Sequence, residues 1–215
     1  PSALIFDYIQ GGSISASWAN DGRSTIFFSS QSSQKLSNSV IGATYLFSSG
    51  TNIIEADIEF NDESFVFTTN PSDSSQWGSL NKIYLQNVAT HELGHSFGLG
   101  HSAVLQSSMV YVENRGQAKP SCDDLHAILT AYPTTESSLA RGSIDGYVSS
   151  ALGVKIFGAH VLAISKTRGT VVASAITDKG GYFIISNLEP GSYYLMYEPF
   201  QATAAVASLC GGATA

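Results

Sequence analysis

His91-Glu92-Leu93-Gly94-His95-Ser96-Phe97-Gly98-Leu99-Gly100-His101 sets two imidazoles four residues apart around a glutamate, then a third beyond a pair of glycines. On a helix, residues i and i+4 share one face, so His91 and His95 can aim ring nitrogens at a single ion. Gly98 offers a backbone free to take positive φ, which ends the helix and swings His101 back as third ligand. Three protein ligands leave a fourth position for water, whose pKa zinc lowers towards about 7. Glu92, one position round the helix, is too far away to compete as a ligand and is placed to take the proton as general base. The HExxH portion alone occurs in unrelated helices, and the extension through Gly98 to His101 is what makes the reading specific. A structural zinc site usually fills all four positions, often with cysteine, and no cysteine lies nearby.

Outward from this stretch the pattern changes in both directions. Upstream, Ser24 to Phe28, Gly42 to Phe47 and Ile53 to Phe60 are β-rich runs, separated by turn signals such as Asn20-Asp21-Gly22 and Ser48-Ser49-Gly50. Ser29 to Ser39 reads as a polar loop. Alternation in Asp57-Ile58-Glu59-Phe60 predicts a strand with one buried face. From Gly78 to Phe97, Ile83, Leu85, Val88, Ala89 and Leu93 predict the helix that carries the first two histidines. A second helix is predicted from about Cys122 to Tyr132, where Asp123 and Asp124 suit the first turn and Pro133 is the stop. Downstream, five short runs beginning at Gly142, Ala159, Val171, Tyr182 and Tyr193 have the spacing of a small β-sandwich.

The HExxHxxGxxH pattern, with Met109 in Ser107-Ser108-Met109-Val110-Tyr111 as its Met-turn, resembles the metzincin zinc endopeptidases. The resemblance implies that Met109 is a packed floor beneath the zinc ligands and not itself a ligand. A methionine that fills a core gap is the plainer reading, and both can hold. Ser102 after His101, Glu55 to Phe60 and Asp123-Asp124-Leu125 resemble matrixins in particular. Tyr111 departs from that subgroup, which carries proline there; astacins and serralysins carry a tyrosine whose phenol reaches the zinc. The resemblance therefore implies a matrixin-like enzyme of bacterial type with Tyr111 acting at the metal, the alternative being a tyrosine that only packs. It covers about Ser13 to Tyr132. The opening helix of the family is missing or diverged, since residues 1 to 20 contain Gly11-Gly12 and no 3.6-residue period. Gly158-Ala159-His160-Val161, Thr177 to Phe183 and Leu188 to Tyr193 are similar to the carboxypeptidase regulatory-like, transthyretin-like fold. Such motifs are turn chemistry and specify fold better than function. His160 reads as structural or surface, and His126 is a poor ligand candidate beside a complete set of three.

The 215 residues, 43% hydrophobic and 13% charged, suffice for one or two domains with a real core. A net charge of −7 with no basic run argues against nucleic acid or an anionic membrane as partner. No stretch reaches the roughly 18 apolar residues of a membrane span. Pro1, with neither initiator methionine nor signal peptide, is read as the start of a processed or trimmed chain. Cys122 and Cys210 fit either one disulfide or two separate thiols. Asp57, Asp62 and Glu63 offer oxygens of the kind calcium takes, but no EF-hand-like loop is present and solvated turn carboxylates are the plainer reading.

The expected architecture is α+β: a metzincin domain with a mixed twisted sheet, active-site helix and C-terminal helix over residues 1–135, a linker at 136–140, a β-sandwich at 141–200 and an Ala/Gly-rich tail at 201–215. The sandwich is expected to contribute no catalytic group. The expected function is that of a secreted zinc endopeptidase acting on protein or peptide substrates. A non-catalytic binding or adhesion protein is the alternative, disfavoured because Glu92 stands beside all three histidines.

Overall fold

A computed structural model describes residues 17–73, 82–113, 116–133 and 141–199. The expected linker, the tail, Cys210 with its disulfide question, and the stretch searched for an opening helix up to residue 16 lie outside the described residues. Among those described, the chain forms two compact units: residues up to 100 with 112–119, and residues 101–111 with those from 120 onward.

In the first unit, β2 (Gly42–Ser49) and β3 (Asn52–Phe60) form an antiparallel hairpin with Tyr45 opposite Asp57. Their turn passes through Gly50 at φ +63°, a conformation glycine takes without steric cost. Strand β1 (Ile26–Phe28) lies parallel to β3 on its other edge, Ile26 opposite Ile58, completing a mixed three-stranded sheet. A separate parallel pair joins β4 (Val66–Thr68) to β5 (Lys82–Tyr84). Helix α1 (Leu85–Ser96) follows at once and lies against β2 and β3. Ile58, Phe60 and Val88 are the centre of this core. The Phe60 ring stands 5.6 Å from Phe28 and 5.9 Å from Phe67, in the tilted and edge-on arrangements that aromatic quadrupoles favour. Burying a phenylalanine in this way contributes about 1.5–3 kcal/mol.

Two expectations change here. The helix predicted from Gly78 begins at Leu85, because Lys82 to Tyr84 are drawn into a ladder with β4, Ile83 opposite Phe67. Tyr84 keeps an extended backbone as the residue before the first turn. Strand β3 is buried on both faces, not one: Glu55, Asp57 and Glu59 are as hidden as Ala56 and Ile58. Burial of these acids is tolerated because each is bonded. Glu55 accepts from the N–H groups of Asp21 and Gly22, at 3.2 and 2.6 Å. Asp57 accepts from those of Ala19 and Thr25, at 3.1 and 2.8 Å. Glu59 accepts from the hydroxyls of Ser29 and Tyr45, at 2.5 and 2.9 Å.

In the second unit, β7 (Ala159–Ser165) lies between β8 (Val171–Ile176) and β10 (Tyr193–Pro199), antiparallel to both. Strand β6 (Gly142–Tyr147) pairs antiparallel with β9 (Tyr182–Leu188). Val161, Ala163, Ala173, Phe183 and Ile185 build the core these two sheets share. Helix α2 (Cys122–Ala131) begins at a capping box: the Ser121 hydroxyl accepts from the Asp124 N–H at 3.3 Å, and the Asp124 carboxylate accepts from the Ser121 N–H at 2.6 Å. It packs against β8 and β9, with Cys122 against their core. Among the described residues no helix is long and apolar enough to cross a membrane.

Candidate metal centre

Helix α1 carries His91 and His95 on one face, their Nε2 atoms 3.1 Å apart and their rings edge-on at 4.7 Å. Two nitrogens on one tetrahedral zinc, each at 2.0–2.1 Å, lie about 3.3 Å apart, so this spacing suits a shared ion. The Leu99 carbonyl, 2.7 Å from His95 Nδ1, favours the tautomer with the proton on Nδ1 and Nε2 unprotonated. Burial lowers the His95 pKa, against the opposing effect of that bond, and so favours the neutral ring that binds metal.

The helix ends as its glycine requires. Gly98 sits at φ +79°, and the N–H groups of Gly98 and Leu99 reach back to the carbonyls of His95 and Gly94, at 2.8 and 3.1 Å. This is the pair of bonds of a Schellman ending. A Cβ at Gly98 would also crowd Ile53 Cδ1 at 3.2 Å. Beyond the turn, His101 returns to the other two, and the candidate ligand atoms of all three histidines lie within 4.8 Å of one another. Among the described residues no other group of histidine, cysteine or acidic side chains converges in this way. Asp57, Asp62 and Glu63, read above as oxygens for calcium, go to separate partners: two backbone N–H groups, Ser30 and Lys35 respectively. His126 lies on α2, outside the trio.

Glu92 is 4% exposed, and burial pushes its carboxyl up to about 7 even though a bond from Thr44 pulls it down. The Thr44 hydroxyl on β2 stands 2.7 Å from the carboxylate and 3.0 Å from the Glu92 carbonyl. Gly42, two residues earlier on the same strand, leaves room for the glutamate: a Cβ there would meet Val88 Cγ1 at 2.9 Å and Glu92 Oε1 at 3.0 Å. Neither Thr44 nor Gly42 was legible as a site residue, since each acts on a side chain some fifty positions away in the chain.

The segment from His101 to Tyr111 is closed on itself and clamped from α2. The Ser102 N–H donates to the Met109 carbonyl at 2.8 Å, and Met109 is 2% exposed. Asp124 accepts from the Ser107 hydroxyl and from the N–H groups of Ser108 and Met109, at 2.8 and 3.3 Å. Burial alone would raise the Asp124 pKa; the bonds from Ser107, Ser108 and Ser121 together outweigh it and leave the carboxyl below its ordinary value. Asp123 and Asp124 in the first turn were the sequence signal for the helix start, but nothing in the sequence marked this second duty. The half-exposed Tyr111 ring packs edge-on against His101, with centroids 5.0 Å apart.

A family model described as Matrixin, of the M10 peptidases, matches residues 19–133. No curated protein and no solved structure matches the chain. The chain belongs to the matrixin family of metallopeptidases.

Proposed function

We propose that this matrixin is a secreted zinc-dependent endopeptidase, with His91, His95 and His101 as zinc ligands and Glu92 as general base. The observation that carries the reading is the convergence of three imidazoles, two of them on a helix that also holds a buried carboxyl of pKa about 7. When bound, zinc supplies Lewis acidity, polarising the scissile carbonyl and acidifying water. The Glu92 carboxylate takes the proton from the attacking water and passes it to the leaving amine; a base titrating near neutrality is suited to both transfers. Thr44 orients that carboxylate from the β2 side. Met109 is the packed floor of the loop that follows His101, consistent with its burial.

Tyr111 is the second catalytic group. Its ring is braced against His101, and a phenol O–H can donate a hydrogen bond to the developing oxyanion. Substrates are proteins or peptides. The strands over 141–200 form a transthyretin-like sandwich that touches no substrate at the reacting bond, and the charge-poor, serine-rich composition supports an extracellular setting. The test is metal analysis beside a peptide-cleavage assay. The wild-type chain should hold about one zinc, and Glu92→Gln should keep that zinc while kcat falls by about 10²- to 10⁴-fold. Wild-type cleavage in Glu92→Gln, or loss of its zinc, would overturn the assignment.

A further inference from the structure

The segment that follows Tyr111 is held at both ends by polar side chains of α1. At its start, Asn87 Nδ2 donates to Glu113 Oε1 at 2.8 Å. Near its end, the Ala118 carbonyl accepts from Gln86 Nε2 and Thr90 Oγ1, each at 3.2 Å, donors one helical turn apart. Gln117, 3% exposed, ties the segment to itself by donating from Nε2 to the Val112 carbonyl at 3.2 Å. These bonds fix where the Glu113 carboxylate stands.

That place is beside the metal face of the helix. Asn87 precedes His91 by four positions, so the two side chains share one side of α1, with Cβ atoms about 5–6 Å apart. Glu113 also follows by two positions the tyrosine whose ring packs on His101. Asn87 is 2% exposed while Glu113 is half-buried, so a buried amide holds the carboxylate from behind and leaves its other side open. An amide donates a hydrogen bond but brings no positive charge, so it anchors the carboxylate without pairing it. The bond takes Oε1, and among the described residues Oε2 accepts none.

We infer that Glu113 is a specificity-determining residue that selects substrates with a lysine or arginine side chain close to the cleaved bond, and that Asn87 is its positioning residue. The inference rests on the endopeptidase reading proposed above. Successive residues of an extended peptide rise about 3.3 Å, so side chains one or two residues from the cleaved bond span the distance that separates His91 from Asn87. A cation there meets a carboxylate already in place, in a half-buried setting where water screens the pair less than on an open surface. The net charge of −7 draws cationic peptides in the same direction. A side chain that served only to satisfy Asn87 would do as well as a glutamine and would discriminate nothing.

The test uses the full-length chain loaded with zinc, and pairs of fluorogenic peptides alike except for lysine or norleucine, placed in turn at the positions flanking the cleaved bond. At one such position lysine should raise kcat/KM by about 10-fold over norleucine, and by less at high salt. Glu113→Gln, which keeps an oxygen for Asn87, should bring that ratio close to one. Glu113→Lys should turn the preference over and favour glutamate at the same position. Asn87→Ala, which releases the carboxylate, should lower the ratio without erasing it; if that variant does not fold, the two Glu113 variants carry the test. The same lysine preference in the wild type and in Glu113→Gln, or none in the wild type, would overturn the inference. A wild-type chain that cleaves no peptide would instead overturn the endopeptidase reading itself, and with it this inference.

Discussion

Glu92 on α1 and Asp124 on α2 are equally hidden, at 4% and 3% exposure, yet their carboxyls lie on opposite sides of the ordinary value. Asp124 stands in the first turn of its helix, where backbone N–H groups are unpaired, and collects donors from Ser107, Ser108, Met109 and Ser121. Glu92 stands mid-helix, where the backbone is already paired, and has the Thr44 hydroxyl to offset its burial. Surface exposure is the same, and the richer donor supply is what draws the Asp124 carboxyl below its ordinary value. A saturated acid becomes a clamp that stays charged; an undersupplied one becomes a group that gains and loses a proton near neutrality.

The largest effect should come from removing the clamp. Asp124→Ala leaves buried donors of Ser107, Ser108 and Met109 without their acceptor, and should cost about 3 kcal/mol in urea unfolding. A loss under about 0.5 kcal/mol would mean that donor saturation is not what distinguishes the two acids. Because the folded pKa of Asp124 is depressed, its contribution is complete above the unfolded value of 3.8 and is lost as pH falls through the folded value.

A second experiment asks whether the clamped region is only a scaffold. Tyr111→Phe keeps the ring against His101 but removes the O–H, and should lower kcat by about 10²-fold with zinc content unchanged. Wild-type kcat in this variant would make Tyr111 a packing residue and confine the chemistry to α1.

The smallest effect sharpens the comparison through pH. In the metal-free chain the folded pKa of Glu92 is raised from 4.5 to about 7, so folding favours its protonated form. That contribution is complete below about 4.5 and is lost as pH rises to about 7. Wild-type thermal stability should therefore fall across this window. Glu92→Gln should lack the fall and end more stable than the wild type above neutrality. Parallel pH profiles for the two proteins would show that burial does not govern Glu92.

By itself the sequence determined the histidine constellation. The i, i+4 spacing of His91 and His95 and the positive φ at Gly98 are local consequences of helix geometry, and they hold whatever surrounds the helix. The five downstream strands were legible for the same reason, since turn residues and β-branched runs act over a few positions. Only the tertiary structure decided what the acids do. Alternation in β3 said nothing of the segment from Ala19 to Ser29 and of Tyr45, whose donors make a buried place for Glu55, Asp57 and Glu59. Nor could periodicity reveal that Thr44 lies beside Glu92, or that Ser102 meets Asp123. A side chain's pKa and its anchoring are set by donors and burial brought from distant parts of the chain, and those exist only once strands and helices have packed.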